Sequence, residues 1–350
     1  MSKEFKSKVD VNSESFLKNR AEMLEKIKEM HNLEKRSFDA SESKRKKFED
    51  RNQLSPRERL KALIDPDSEF VELYNMAGFL VEDKNFETSI PGASVIAGIG
   101  FINGVRCMIM VDDSGINAGA ATSTTVDKCV GCLEISLEKK LPFVHLVESA
   151  GINLMNYKVE IWARAGGMFA GLAKLSAAGV PTITVLHGLS TAGGAYNVGM
   201  SDYVIGVKKN GMAALAGPAL LKAATGEIAL NEELGGSEMH ARVTGLVEYL
   251  ADDDEHALRI VRDLIDKIDW NTKVLKRQSI SYEEPIYDIK ELIGIVSVDY
   301  KVPYDVRELI ARIVDGSDFI DFKAEYGVST VCVQAKINGY SCGIIGNNGP

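Results

Sequence analysis

The sequence predicts an α/β fold, and three observations support that prediction. Apolar segments of strand length alternate with segments of helical length: the strands are predicted at 95–101, 105–111, 142–147 and 182–187, and the helices at 124–139 and 162–178. This alternation is typical of layered α/β domains and argues against a helical bundle or a β-sandwich. Two of the strands end in turns of small residues, and two stretches of the chain resemble each other at long period, which indicates two related domains.

The composition excludes several classes of protein. The chain has 350 residues, 45% of them hydrophobic, so it is long enough to bury a large core. Its net charge of -9 argues against a general nucleic-acid binder, because phosphate binding requires a basic surface. The chain contains no run of about 18 apolar residues and no secretory signal. We therefore expect neither a nucleic-acid nor a membrane partner, and a cytoplasmic or other reducing compartment.

The cysteines predict neither disulfides nor a metal site. Five cysteines in a chain of this length do not form the even, regularly spaced set of a disulfide framework. Cys129 and Cys132 form a single C-x-x-C within a predicted helix, and reduced packing residues are the favoured interpretation. No cluster of histidines and cysteines has the spacing of metal ligands.

Residues 1–52 are predicted to form a helical extension. They are rich in Lys, Arg and Glu, and their apolar side chains include Phe16, Met23, Ile27 and Met30. These spacings of three, four and seven are those of an amphipathic helix on a surface or on a partner subunit.

Turn and cap residues define the elements that follow. Ser55-Pro56 supplies an N-cap and a proline at the first helical position, which predicts a helix over Arg57–Ile64. Asn103-Gly104 predicts a two-residue hairpin turn between the first two strands. Residues 256–268 have the pattern of an amphipathic helix, and the polar stretch 270–285 is predicted to be a linker.

Sequence patterns of the first part of the chain recur near its end. Residues 306–321 resemble residues 57–72, and Ile102-Asn-Gly104 recurs as Ile337-Asn-Gly339, each time between strand-like runs. Long-period similarity of this kind indicates two related domains.

The predicted domains follow from this repeat. Residues 53–285 are predicted to form a complete first domain, and residues 286–350 the start of a second. The second copy should contain a helix over 304–314 and a hairpin, but the sequence ends before the counterpart of the turn that follows residue 147. We therefore expect a chain that is truncated in its second domain, and that is inactive alone or dependent on a partner that completes this domain.

The chemistry is predicted to lie in the backbone of two turns. The strand 142–147 runs into Glu148-Ser-Ala-Gly-Ile152, and the strand 182–187 leads to Thr191-Ala-Gly-Gly-Ala-Tyr196. Small residues leave backbone N–H groups unobstructed, and two such groups aimed at one point form an oxyanion hole. The alternative is that both segments are tight turns that allow close packing.

These segments resemble the carboxyltransferase (β) subunit of biotin-dependent acyl-CoA carboxylases, over about residues 50–350. The motifs that carry the resemblance occur in the family's order: Arg57-Glu-Arg-Leu60 with Asp65-Pro66, Glu148-Ser-Ala-Gly151, Ala192-Gly-Gly-Ala-Tyr196, Ala216-Gly-Pro218 with Lys222-Ala-Ala-Thr-Gly-Glu227, and Glu233-Leu-Gly-Gly236 with His240. The segment 214–227 is most similar to the methylcrotonyl-CoA or geranyl-CoA branch. The family usually has Asp-Ser-Gly-Gly at 148–151, and the stretch 112–125 also departs from its pattern.

The resemblance implies a crotonase-like spiral of ββα units and an enzyme of the ligase class. That enzyme transfers a carboxyl group from carboxybiotin to an acyl-CoA enolate. Its implied cofactor is biotin on a separate carrier domain or subunit, its substrate is a coenzyme A thioester, and no metal is implied. The implied partners are the biotin carboxylase and biotin carrier subunits, in a homo- or hetero-oligomer.

The resemblance also assigns roles to residues. The N–H groups of Ala150 and Gly151 are implied to be the catalytic oxyanion donors. The residues implied to contact substrate or CoA are Ser149, Gly193, Gly194, Ala195, Lys128 and Lys222, with the two lysines placed to meet the CoA phosphates. A solvated lysine is the alternative at both lysine positions.

Two other functions stay open. A biotin-dependent acyl-CoA decarboxylase component would use the same chemistry in reverse. A non-catalytic, truncated paralogue would bind acyl-CoA or assemble with carboxylase subunits without turning over.

Overall fold

The computed structural model describes residues 5–152, 159–274 and 280–349, and it divides into two compact units. One unit comprises residues 33–276, and the other combines residues 1–32 with residues 277–350. The predicted boundaries at 52/53 and 285/286 stay predictions, and part of the predicted linker 270–285 lies outside the described residues.

The unit formed by residues 33–276 is an α/β domain, as predicted. Its strands are β1 Val71–Glu72, β2 Val95–Ile102, β3 Val105–Asp112, β4 Phe143–Ser149, β5 Thr182–Thr191, β6 Tyr203–Val207, β7 Met212–Ala214 and β8 Tyr249–Ala251. Its helices are the end of α1 Glu14–Glu42, then α2 Arg45–Glu49, α3 Pro56–Leu63, α4 Ser123–Lys139, α5 Val159–Ala177, α6 Gly193–Gly199, α7 Pro218–Thr225, α8 Asn231–Gly235, α9 Ser237–Met239, α10 Asp254–Ile268 and α11 Trp270–Lys273.

The strands form one mixed sheet in the order β1-β2-β3-β4-β5-β6-β8, with β7 paired to β5. The first three strands are antiparallel, and every pairing from β3 to β8 is parallel. Every residue of β4 is buried, because this central strand is covered on both faces. The parallel order brings the carboxyl ends of β4 and β5, and therefore the two predicted turns, to one edge of the sheet.

Local sequence explains where the first elements begin and end. Ser55 and Glu58 form a capping box around Pro56, and the Arg45 guanidinium beside Glu58 holds the pKa of that carboxyl at about 2. The hairpin between β2 and β3 turns at Asn103 and Gly104, both with positive φ, as a two-residue turn requires.

The other unit contains a smaller sheet. Its elements are the start of α1, α12 Leu292–Ile295, α13 Val306–Ile310, β9 Phe319–Asp321, β10 Thr330–Ile337 and β11 Tyr340–Asn347, with sheet order β11-β10-β9. Phe16 packs on the bare backbone of Gly294. The Glu308 carboxylate accepts bonds from Ser7 Oγ at 2.6 Å and Lys8 N–H at 2.8 Å. Ser7, Lys8 and Phe16 thus pack against the later residues of this unit.

In both hairpins an aspartate carboxylate accepts the two N–H groups of the Asn-Gly turn, which supports the predicted repeat. The Asp65 carboxylate accepts the N–H groups of Asn103 at 2.8 Å and Gly104 at 2.7 Å. In the other unit, the Asp315 carboxylate accepts the N–H groups of Asn338 and Gly339, both at 2.7 Å. Each hairpin turn is therefore clamped by a carboxylate from the segment that precedes it.

The clamp predicts a pH-dependent stability. Burial alone would raise the pKa of Asp65, but the bonds from Gly104 and Asn103 and the Arg262 guanidinium outweigh it and lower the pKa. A lowered folded-state pKa adds stability above the unfolded value of about 4, and this is lost as the pH falls through the folded value.

We therefore expect Asp65→Asn to lose about 1–2 kcal/mol of unfolding free energy at pH 7. Urea unfolding across pH 2–7 measures it, and the difference from the parent chain should shrink below about pH 4. The exposed Glu69→Ala is the control. A constant difference at all pH values would contradict the clamp.

Candidate active site

The first turn, Ser149–Gly151, lies where β4 ends. Ser149 is buried, and its hydroxyl donates to the Gly119 carbonyl at 2.8 Å. Gly151 has a φ of +82°, a left-handed conformation that favours glycine. Ala150 is exposed between them. The turn thus combines one anchored side chain with two small residues.

The amide groups of the first turn are not open, contrary to the sequence-based expectation. The Ala150 N–H donates to the Ala118 carbonyl and the Gly151 N–H to Ser149 Oγ, both at 3.2 Å. Both bonds are long for N–H···O, and neither belongs to a helix or a sheet ladder. Asn117 and Ala118 both have positive φ. A strained loop therefore supplies the acceptor for Ala150.

The second turn, Thr191–Gly194, lies where β5 ends and α6 begins. The Ala192 N–H donates to the Ala214 carbonyl at 3.1 Å. Gly193 and Gly194 are the first two residues of α6, whose N–H groups have no intrahelical acceptor. Within the described ranges, neither N–H has another acceptor. The second turn therefore presents two available backbone donors.

The two turns adjoin. Ser149 pairs with Ser190 across the sheet. A Cβ on Gly151 would lie 3.0 Å from the Thr191 carbonyl oxygen, and one on Gly194 would lie 2.8 Å from Ser190 Oγ. Ser190 Oγ is buried and has no hydrogen-bond partner among the described residues. Glycine at 151 thus permits the close approach of the two turns, and glycine at 194 permits the close approach of α6 to Ser190.

A cavity of about 120 Å³ lies against both turns. Four predicted site residues line it together: Ser149, Gly151, Gly193 and Gly194. Its apolar wall comes mainly from α4 and α5 and includes Val126, Trp162, Ala165, Met168 and Phe169. These wall residues were not predicted from the sequence, although Ala165 and Phe169 are spaced as neighbours on one helix face.

Asp112 and His145 also line this cavity and were missed as site residues. His145 Nε2 lies 3.0 Å from Asp112 Oδ1, and Asp112 Oδ2 accepts the Glu148 N–H at 3.1 Å. Because a strand alternates its faces, His145, Val147 and Ser149 point to the same side of β4. That alternation was the signal that could have placed His145 at the site.

A buried charge cluster lies behind the first turn. Arg59 is fully buried; its Nη1 donates to Glu148 Oε2 at 2.7 Å and its Nε to Asp254 Oδ2 at 3.0 Å. His187 Nδ1 donates to Asp254 Oδ1 at 2.7 Å. We call Arg59, Glu148, His187 and Asp254 the Arg59 cluster.

The cluster is charged but compensated. Burial opposes the charge of Arg59, yet Glu148 and Asp254 outweigh burial and raise the pKa of the guanidinium. Burial lowers the pKa of His187, which favours the neutral imidazole. The polar residues of the cluster were missed from sequence because they lie up to 195 positions apart.

The remaining predicted residues lie elsewhere. Lys128 is 2% exposed, and its ammonium donates to the carbonyls of Gly92 at 3.2 Å and Val95 at 2.5 Å. Its burial, which lowers the pKa, argues against a contact with CoA phosphates. Lys222 is exposed on α7. Ala195 lines a second cleft.

That second cleft has a volume of about 500 Å³. Its lining is mostly apolar and includes Ala195, Tyr196, Met200, Leu215, Leu221 and Leu234. The second turn therefore lies between two spaces, this cleft and the smaller cavity of about 120 Å³.

The cysteines are free thiols, and Cys129 and Cys132 are buried. Burial raises the pKa of Cys132 to about 11. In the described part of the chain, no three potential His, Cys, Asp or Glu ligands cluster as a metal site would require. The helices within the described residues include none that is long and apolar enough to cross a membrane.

Comparison with known proteins shows the family of the chain. The model of the carboxyl transferase domain matches residues 47–349. The chain is 46% identical, over 85% of its length and 54% of the relative, to a probable biotin-dependent acyl-coenzyme A carboxylase beta2 subunit of Mycobacterium tuberculosis. It is 39% identical, over 97% of its length and 59% of the relative, to the mitochondrial methylcrotonoyl-CoA carboxylase beta chain of Arabidopsis thaliana.

Among solved structures, the chain is similar to the beta subunit of Pseudomonas aeruginosa geranyl-CoA carboxylase. The identity is 45%, the TM-score is 0.91, and the match covers 99% of this chain and 64% of that one. The chain thus spans between about half and two thirds of the length of these proteins.

The contacts of the two adjacent glycines predict different tolerances. Gly194→Ala should lower the free energy of unfolding by about 1–3 kcal/mol, because the new methyl group would overlap Ser190 Oγ. Gly193→Ala is the matched control: its Cβ meets nothing within 4 Å, and the change should stay within about 0.5 kcal/mol. Denaturant unfolding measures both, and equal effects would contradict the close approach of Gly194 to Ser190 Oγ.

Proposed function

The chain belongs to the carboxyl transferase domain family, and we propose that it is the carboxyltransferase component of a biotin-dependent acyl-CoA carboxylase. The predicted resemblance, the methylcrotonyl-CoA/geranyl-CoA branch and the crotonase-like α/β fold are confirmed by the relatives and by the structural match. The observation that supports the proposal is the pair of turns, which places backbone N–H donors beside an apolar cavity.

The donors suit the charge that the reaction develops. Removing a proton from the acyl group of a CoA thioester produces an enolate, whose oxygen carries negative charge. Preorganised N–H groups stabilise such an oxygen without reorganising during the reaction. Gly193 and Gly194 present donors that lack acceptors within the described part of the chain, and the N–H groups of Ala150 and Gly151 lie at the adjoining turn. The thioester oxygen would replace the long bond from Ala150 to Ala118.

The cavity size favours a short acyl group. An apolar protein cavity of about 150 Å³ holds benzene. A cavity of about 120 Å³ therefore suits a branched acyl chain of about five carbons better than a geranyl chain. We propose 3-methylcrotonyl-CoA or a similarly short, branched thioester as the substrate.

Biotin on a separate carrier would supply the carboxyl group and, after its loss, the base. The cleft of about 500 Å³ beside the second turn has room for its bicyclic head or for the pantetheine arm of CoA. Tyr196 and Leu215 would hold that group by apolar contact. The reaction requires no protein acid–base pair, and the imidazole at the cavity, His145, is engaged with Asp112.

The proposed partners follow from this chemistry. A biotin carboxylase and a biotin carrier must load and present the carboxyl group, so we propose that the chain works in an oligomer with both. We also propose a cytoplasmic location, since the free, buried thiols suit a reducing compartment.

Titration calorimetry with a panel of thioesters tests the proposal. We expect the full chain to bind 3-methylcrotonyl-CoA at least about tenfold more tightly than geranyl-CoA, which corresponds to about 1.4 kcal/mol. Adding the biotin carboxylase and carrier subunits with ATP and radiolabelled bicarbonate should then label the acyl-CoA, because ATP activates the bicarbonate that carboxylates biotin. Absence of binding to every thioester would contradict the function. Binding with label released only from a carboxylated thioester would indicate a decarboxylase, and binding without turnover a non-catalytic paralogue.

We also propose that Lys222 attracts the CoA phosphates. Because the ammonium is exposed, Lys222→Ala should weaken acyl-CoA binding only about two- to fivefold, and less at high salt. Binding of the pantetheine thioester, which lacks the nucleotide phosphates, should not change. The exposed Lys61→Ala is the control. Equal losses for both thioesters would exclude a phosphate contact.

A further inference from the structure

The strand β5 contains a bulge opposite Glu148 of its neighbour β4. Val147 pairs with Leu186, but the next paired residues are Ser149 and Ser190. The strand β4 therefore advances by two residues while β5 advances by four. The extra residues, which include His187 and Gly188, carry β5 forward so that Ser190 lies beside Ser149. Bulges of this kind re-aim the chain at functional sites.

The bulge is shaped around the Glu148 side chain. A Cβ on Gly188 would lie 2.5 Å from Glu148 Cγ, 2.6 Å from Cδ and 2.7 Å from Oε1. The Glu148 side chain thus occupies the space that a side chain at position 188 would need. Glu148 cannot easily give way, because it is buried and Arg59 binds its Oε2 at 2.7 Å.

The same cluster holds the other side of the bulge. His187 is a bulge residue, and its Nδ1 donates to Asp254 at 2.7 Å. Asp254 also accepts from Arg59 Nε at 3.0 Å and from the Leu54 N–H at 2.9 Å. Gln53 Nε2 donates to the His187 carbonyl at 2.8 Å. Arg59 therefore links the end of β4, through Glu148, to the bulge of β5, through Asp254 and His187.

We infer that Glu148, held between Arg59 and the bare backbone of Gly188, is the positioning residue that sets the first turn against the second. It does not touch the substrate: its side chain points away from the cavity, into the Arg59 cluster. It acts through the residues that follow it, since Ser149, Ala150 and Gly151 continue directly from its backbone. Because the inference concerns the geometry of the oxyanion hole, it rests on the proposed function.

A double-mutant cycle at the two contacting positions tests the inference. Gly188→Ala should push the Glu148 side chain out of place, because the new methyl group would overlap Glu148 Cγ. Glu148→Ala removes that Cγ together with the carboxylate, so Gly188→Ala should add little further change in this background. Two independently destabilising substitutions would instead add their effects.

Hydrogen–deuterium exchange measures the local stability of the first turn without any ligand. In Gly188→Ala, amides of a peptide covering residues 146–152 should exchange about tenfold faster than in the parent chain. Glu148→Ala should show the same acceleration, and Glu148→Ala/Gly188→Ala should stay within about twofold of Glu148→Ala, while a peptide from β10 stays unchanged in all variants. If Gly188→Ala fails to fold in the parent chain but leaves Glu148→Ala folded, that difference is the supporting result. Unchanged exchange in Gly188→Ala, or a further acceleration of about tenfold in the double variant, would overturn the inference.

Infrared spectroscopy of a bound thioester measures how strongly the N–H donors polarise its carbonyl group. The carbonyl of 3-methylcrotonyl-CoA, labelled with carbon-13, should absorb at lower frequency when bound to the parent chain than when free. Gly188→Ala and Glu148→Ala should each lose most of that shift, and the double variant should lose no more than either. A full shift in Gly188→Ala would overturn the positioning role. If the parent chain binds no thioester, the proposed function fails, and the exchange experiment still decides the inference.

Discussion

The compensation of one buried guanidinium organises the unit that contains the site. Arg59 on α3 has no contact with solvent, so its charge must be met by carboxylates within the protein. Glu148 at the end of β4 and Asp254 at the start of α10 meet it, and Asp254 in turn holds His187 in β5. Loss of one partner would leave an uncompensated buried charge, at a cost of about 3–5 kcal/mol. The cluster thus forces four distant segments to meet directly behind the turns.

The site itself is built from backbone, and this explains its dependence on small residues. Both turns follow parallel strands, whose carboxyl ends lie at the same edge of the sheet. Adjacent turns can line one cavity only if side chains do not separate them. Glycine at 151 permits this approach, glycine at 194 lies against Ser190 Oγ of its own segment, and glycine at 188 makes room for the Glu148 carboxylate. The proposed chemistry would therefore depend on where side chains are absent as well as on where they are present.

The same carboxylate clamp fixes a hairpin turn in each of the two units. Asp65 and Asp315 each accept two N–H groups from an Asn-Gly turn, although they lie in different units. A two-residue turn leaves these donors without ladder partners, and a carboxylate with two oxygens satisfies both. The recurrence agrees with the internal repeat and shows that the repeat preserves a physical function, the fixing of hairpin register.

The sequence by itself determined part of the elements, among them β2 to β5, α3, α4 and α5, and with them the hairpins, the small-residue turns and the family. Each of these is written in local patterns: the capping box at Ser55, the Asn-Gly pairs, the alternation of strand and helix, and motifs in a set order. Only the tertiary structure decided which groups meet across long separations. It buried Lys128 against the carbonyls of Gly92 and Val95, paired the Ala150 amide with Ala118, and joined the start of the chain to residues 277–350. Local spacing does not record these contacts, because burial and hydrogen bonding depend on which elements pack together.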